Sequence, residues 1–237
     1  MSSSAQQVPS APAVLEPLPA RSDTLTDLVF TAIRDRIVDA SLPPGSRVGE
    51  AMLAAQLQVS KTPVREALLR LRHIGLVEPG RTGLCVVAPS AATIQNAFEL
   101  RSALESASGR HAADRRTIED AARIRGLATA SLAAARAGRV TEFLDLDLAF
   151  HLAIAEASGN PTLCRAVEDS VVLTIALRQR DVRVERDLVP DGQEHEEIAA
   201  EIARGAADAA AERLTDHLCR IRTLVLAAFP GEPGPCS

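Results

Sequence analysis

The residues of this 237-residue chain best suited to metal chemistry are three of its five histidines and one aspartate. From Glu142 to Ala157 apolar residues repeat at helical spacing. At about 100° per residue Phe143, Leu144, Phe150, His151 and Ile154 fall on the side of Asp147, while Glu142, Asp145, Ala149 and Glu156 fall opposite. Asp147 and His151 are therefore expected to face a core. A buried carboxylate and imidazole are costly without partners, and an i, i+4 Asp/His pair is placed to chelate a cation. His195 shares its face with Ile198, Ala199 and Ile202, and His217 shares its face with Leu214, Ile221 and Leu224. One inward histidine reads more simply as a hydrogen-bonded core residue, whereas three with an aspartate read as a ligand set. Three imidazole nitrogens and one carboxylate oxygen suit a divalent transition metal, Zn²⁺ first, with Ni²⁺, Mn²⁺ or Fe²⁺ as alternatives. The imidazoles argue against Ca²⁺ or Mg²⁺. His73 and His111 show no such pattern and read as ordinary residues.

A second group of residues suits nucleic acid. Lys61, Thr62 and Arg65 lie in the first turn of a segment with Val64, Leu68 and Leu71 on one face, expected to run to about His73 with Thr62 as N-cap and Pro63 at the first helical position. In a helix-turn-helix that turn enters the major groove. There Arg65 has the fork to read guanine or clamp phosphate, Lys61 suits phosphate, and the Thr62 hydroxyl can be shared between cap and backbone contact.

The elements that must hold these groups are mostly helical. Aromatics are only 2% of a chain that is 46% hydrophobic, so the buried area has to come from aliphatic side chains on helices. A helix is expected from Asp23 to Ala40, stopped by Leu42-Pro43-Pro44-Gly45, then a short one from Glu50 to Leu57. Leu76-Val77-Glu78 and Leu84-Cys85-Val86-Val87, joined by Pro79 to Gly83, read as a β-hairpin. Further helices are expected over Ala91–Arg116, Ile118–Ala137, Glu142–Ala157, Pro161–Arg183, Asp191–Arg204 and Ala206–Phe229, with a capping box at Thr117–Asp120 and a cap at Asn160-Pro161. The fold class is mainly α. A winged helix-turn-helix over residues 21–89 precedes an all-helical effector and dimerisation domain over 90–229. Residues 1–20, rich in Ser, Ala, Pro and Gln, read as a disordered tail, and 230–237 as a flexible C-terminus.

A net charge of −5 is unevenly spread: residues 21–90 hold 9 basic and 7 acidic residues, and 91–237 hold 17 and 23. That balance permits DNA binding without proving it. Cys85, Cys164, Cys219 and Cys236 have no framework spacing, and neither a signal peptide nor a long apolar run is evident, so a cytoplasmic protein with free thiols and no membrane partner is expected.

The string Leu42-Pro43-Pro44-Gly45, Glu50, Val59-Ser60-Lys61-Thr62-Pro63-Val64-Arg65-Glu66-Ala67-Leu68 and Gly75-Leu76-Val77 resembles the winged helix of GntR-type regulators. The resemblance implies a homodimer on a palindromic double-stranded operator, with Arg47, Lys61, Thr62 and Arg65 near DNA and the wing tip, Arg81 to Gly83, in the minor groove. Two positions depart from the pattern: Ala51 stands where relatives often carry a basic residue, and Lys61 where arginine is usual. Asp147-x-x-x-His151, His195 and His217 resemble the FCD effector domain of the FadR branch. That second resemblance implies a small organic acid bound against the metal, with Arg101 as carboxylate anchor and Asn160 as a further pocket residue. An i, i+4 salt bridge from Arg101 to Glu105 is the competing reading of that arginine. The expected function is a regulator, a repressor relieved by its effector, with no catalytic residue. The alternatives are a purely structural metal and a metal-dependent enzyme.

Overall fold

A computed structural model describes residues 24–178 and 187–229. The tail expected over 1–20, the loose end over 230–237, Cys236 and the expected helix beyond Arg178 lie outside the described residues.

The first half is a winged helix-turn-helix. Its elements are α1 (Leu25–Val38), β1 (Arg47–Val48), α2 (Glu50–Leu57), α3 (Lys61–Ile74), β2 (Val77–Gly80) and β3 (Gly83–Val86). Thr24 and Asp27 cap α1 reciprocally. Val29, Ile33 and Ile37 of α1 meet Val64, Leu68 and Leu71 of α3, with Leu53, Val48, Val77 and Val86 closing the core. The strands form an antiparallel sheet in the order β1-β3-β2. Pairing of Gly80 with Gly83 leaves only Arg81 and Thr82 as the turn, so Pro79 and Gly80 belong to the strand and the expected five-residue connection is shorter. The two-residue β1 was not foreseen, since so short a strand carries no periodicity.

Helix α3 also starts earlier than expected. Ser60 is its N-cap and Lys61 its first residue, which puts Thr62 inside the helix and Pro63 at the third position. Proline is tolerated there because the first-turn amides have no intrahelical acceptor to lose. Gly75 ends α3 with φ 90°, a left-handed conformation that favours glycine.

The second half is a helical bundle of α4 (Ala91–Arg115), α5 (Ile118–Arg136), α6 (Val140–Ala157), α7 (Pro161–Arg178), α8 (Val189–Arg204) and α9 (Ala207–Ala228). The capping box at Thr117 and Asp120 is present, and Asn160 Oδ1 accepts from the amides of Thr162 and Leu163 at the start of α7. Helix α4 packs on α9, α7 and α6, while α5 packs on α8 and α6. Two glycines permit close approach. A Cβ on Gly109 would run into the Leu214 side chain, and one on Gly192 would meet the Leu132 backbone at 2.7 Å. Gly192 therefore lets α8 settle on α5 just before His195. The helical wheel needs correction at its margins: Leu144 and Leu224, placed inward with Asp147 and His217, lie exposed because each sits at the edge of its apolar stripe.

Candidate metal centre and nucleic-acid interface

Asp147, His151, His195 and His217 each offer one ligand atom, and these atoms lie within 4.8 Å of one another. All four residues are buried. Asp147 and His151 come from successive turns of α6, His195 from α8 and His217 from α9. Phe150 stacks on the His195 ring at 4.3 Å between centroids, and Phe143 lies parallel to that ring at 6.0 Å.

Each imidazole is held by its Nδ1. Ser131 Oγ donates to the Ala128 carbonyl at 2.8 Å, so its contact of 3.0 Å with His195 Nδ1 is one it accepts. His151 Nδ1 meets a carboxylate oxygen of Glu105, and His217 Nδ1 meets Glu194 Oε2 at 2.6 Å. Carboxylates and a committed hydroxyl accept, so Nδ1 carries the proton and Nε2 keeps its lone pair in all three rings. The Nε2 atoms of His151 and His195 are buried without a hydrogen-bond partner, and lie 3.7 Å and 3.3 Å from Asp147 Oδ1. Buried polar atoms are nearly always satisfied, so two orphans aimed at one carboxylate are what a cation's coordination would complete.

The electrostatics agree. Burial pushes the His195 pKa down, and pushes that of His217 down to about 3 against the pull of Glu194, which keeps both rings neutral donors. Burial alone would raise Asp147, but the His151 and His195 contacts outweigh it and hold the carboxyl well below its ordinary range. Glu105 is likewise held at about 2, burial being outweighed by Arg101 and His151. His151 differs from the other two rings: burial and Arg101 push its pKa down, but Glu105 and Asp147 outweigh them and raise it, so positive charge is favoured at this ring, from a proton or from a cation at Nε2.

Arg101, expected as an effector anchor, is buried and paired with Glu105 Oε1 at 2.5 Å, the salt bridge of the competing reading. Its Nη1 donates to Thr174 Oγ1 at 3.1 Å, and its Nη2 has no hydrogen-bond partner among the described residues. Asn160 spends its side-chain oxygen on capping α7, and none of its hydrogen bonds runs to the Asp147 cluster. Reasoning from sequence missed Glu194, Ser131, Thr174 and Arg220, and took Glu105 only as a helix neighbour of Arg101. Glu194 adjoins His195 in sequence yet serves His217, and is itself gripped by Arg220 Nε at 2.5 Å. No periodicity signals such cross-helix pairings. A recess of about 460 Å³ between α8 and α9, lined by Glu194, Asp216, His217 and Arg220 among others, reaches this edge of the cluster.

On the winged helix, Arg47, Lys61, Thr62, Arg65, Arg81 and Gly83 are all exposed. Lys61 and Arg65 present their charges one turn apart at the start of α3. Arg65 is held by Glu50 of α2 through two bonds of 2.9 Å, a fixed fork rather than a free side chain. Arg47 on β1 reaches the wing, its Nε 3.7 Å from where a Gly83 Cβ would stand. Arg70 instead braces the domain, bonded to Asp27 at 2.6 Å and lying over the Phe30 ring.

The sequence pattern of the bacterial regulatory proteins of the gntR family matches residues 25–83, and that of the FCD domain matches residues 96–220. Over 198 residues the chain is 31% identical to the "Probable D-xylose utilization operon transcriptional repressor" of Paenarthrobacter nicotinovorans, spanning 80% of this chain and 85% of that one. It is 26% identical over 199 residues to the HTH-type transcriptional repressor RspR of Escherichia coli, spanning 81% and 85%. Its fold is similar to that of E. coli McbR/YncC, with a TM-score of 0.73 at 21% identity over 87% of this chain and 99% of that one.

Proposed function

Because the chain belongs to the gntR family of bacterial regulatory proteins and carries an FCD domain behind its winged helix, we propose that it represses transcription from a palindromic operator as a homodimer, under control of a small carboxylate bound at a metal centre. It is a DNA-binding transcriptional regulator, not an enzyme.

Asp147, His151, His195 and His217 are the metal ligands in this reading. The observation that carries it is the convergence of two orphaned Nε2 atoms on Asp147 while every Nδ1 is occupied elsewhere. Zn²⁺ suits three imidazoles and one carboxylate best, with nickel, manganese or iron as competitors. A bound divalent cation supplies a Lewis-acidic point for an effector carboxylate oxygen. Arg101 supports a second oxygen through its spare Nη2, and Asn160 is a weaker contributor because its oxygen is committed to the helix cap. On DNA, Lys61, Thr62 and Arg65 enter the major groove, while Arg47, Arg81 and Gly83 lie along the flanking backbone and minor groove. The relatives named as repressors support repression as the polarity.

Calorimetric titration of Zn²⁺-loaded protein against a panel of small carboxylic acids tests the effector reading. Binding of at least one acid, with operator release in a gel shift at stated salt, is expected. Silence across the panel with the metal retained favours a structural metal instead.

A further inference from the structure

Helix α7 belongs to both halves of the molecule. Ala176 is part of the winged-helix core, and Val172 and Leu173 pack against that core from the same helix. Leu173 Cδ2 lies 3.5 Å from the position a Cβ would take on Gly75, the residue that ends the recognition helix. Beside this seam a cleft of about 410 Å³, lined by Phe30, Leu69, His73, Arg165 and Asp169 among others, separates α1 and α3 from α7. The head thus touches α7 along a narrow apolar strip with open space next to it.

The next residue on α7 faces the other way. Thr174 is fully buried and donates its hydroxyl to the Val171 carbonyl at 2.9 Å, which leaves its oxygen to accept from Arg101 Nη1. Arg101 holds Glu105 Oε1, and Glu105 Oε2 holds His151 Nδ1. Glu105 therefore bridges the arginine and a ligand of the candidate metal centre.

We propose that the Arg101–Thr174 hydrogen bond is the joint through which occupancy of the metal centre reaches the DNA-binding head, along His151, Glu105, Arg101 and Thr174 into α7 and its Leu173 contact at Gly75. This rests on the metal reading given above. Every group in the chain is buried and polar, so a shift of the His151 ring is not absorbed by solvent. It is passed to a helix whose opposite face meets the head along that apolar strip. Thr174 acts here as a positioning residue: it touches neither metal nor DNA. Arg101 then has a structural duty whether or not it also meets an effector.

The test compares wild type, Thr174→Val, Thr174→Ser and Leu173→Ala, using Zn²⁺ alone as the ligand and a DNA duplex selected from a random library as the operator. In wild type, Zn²⁺ changes operator affinity at least about fivefold, the lower end of ordinary allosteric coupling. Thr174→Val retains Zn²⁺ affinity within about threefold and metal-free operator affinity within about twofold, but its response to Zn²⁺ falls below about twofold; all three bounds are order-of-magnitude expectations for loss of a coupling of that size. Thr174→Ser restores the response, and Leu173→Ala loses it from the other end. Hydrogen exchange on wild type supplies a second readout that needs no variant. Zn²⁺ slows exchange at the Leu76 and Val87 amides, which bond to Leu71 and Leu76 beside the seam. A wild-type response that persists in Thr174→Val, or bound Zn²⁺ without effect on either operator or exchange, overturns the joint and leaves the metal reading standing. Failure of wild type to bind Zn²⁺ overturns both.

Discussion

Removing one hydroxyl should weaken the metal centre without touching a ligand. Ser131 is fully buried on α5, and its oxygen is the acceptor that fixes the proton of His195 on Nδ1. In Ser131→Ala that N–H loses its partner in a fully buried site, at a cost of about 1–3 kcal/mol. The metal-free ring escapes this cost by moving its proton to Nε2, where Asp147 Oδ1 stands 3.3 Å away, and an entering cation must drive it back to Nδ1, so the cost falls on the metal-bound state. At about 1.4 kcal/mol per factor of ten, the loss in Zn²⁺ affinity comes to roughly five- to 150-fold, in line with the roughly 10–100-fold typical of groups that orient metal ligands. Competition against a chromophoric chelator at neutral pH measures it, with the far-UV spectrum checking the fold. Ser170→Ala is the control, because Ser170 is also buried but its hydroxyl serves only the Val167 carbonyl. Unchanged affinity in Ser131→Ala, or an equal loss in Ser170→Ala, refutes the assignment of the tautomer and its role.

Other perturbations probe the remaining parts. Arg65→Ala should weaken operator binding by about 1–3 kcal/mol if the fork reads a base, and Glu50→Gln should weaken it less by freeing the same fork; gel shifts at fixed salt rank the two. Gly192→Ala places a methyl 2.7 Å from the Leu132 backbone, so α8 must lift. A loss of about 1–3 kcal/mol in urea unfolding is expected together with weaker Zn²⁺ binding, and full stability with native affinity would contradict the close packing. Asp27 has its pKa lowered from 3.8 to about 2 by Thr24 and Arg70. A depressed carboxyl stabilises the fold above its ordinary value and loses that contribution as pH falls through the folded one. Asp27→Asn should therefore flatten the decline in stability between about pH 4 and pH 2, which acid titration by circular dichroism follows.

Much of the architecture was legible because it rests on local rules. The stop at Leu42–Gly45, the caps at Thr117 and Asn160, and the inward stripes of α6, α8 and α9 are all periodicities or short-range hydrogen bonds written in consecutive residues. The three histidines and Asp147 were found in the same way, since a polar residue on an apolar stripe contradicts its surroundings. What escaped depends on helix pairings that no stripe encodes. Glu194 lies between the buried Asp191 and Ile198 on one side of its own helix, but its role is defined only by reaching His217 on the next. Ser131 is one small residue on an Ala-rich helix until His195 arrives against it. The start of α3 was misplaced by two residues because Thr62-Pro63 is a strong cap signal, whereas the helix begins at Lys61 behind Ser60, whose side chain makes no capping hydrogen bond. The engagement of Val172, Leu173 and Ala176 with the head was unreadable, because they resemble any other buried helix face.

Metal content speaks most directly to the central claim. Protein purified without added chelator and freed of loosely bound ions should carry one divalent transition metal per chain by elemental analysis. X-ray absorption should show a shell of nitrogen and oxygen neighbours at about 2.0–2.2 Å. The His151→Ala, His217→Ala double variant should retain none while keeping its helical spectrum. A wild type that neither holds nor takes up a divalent ion, or a double variant that holds one equally well, contradicts the assignment of Asp147, His151, His195 and His217 as a metal centre.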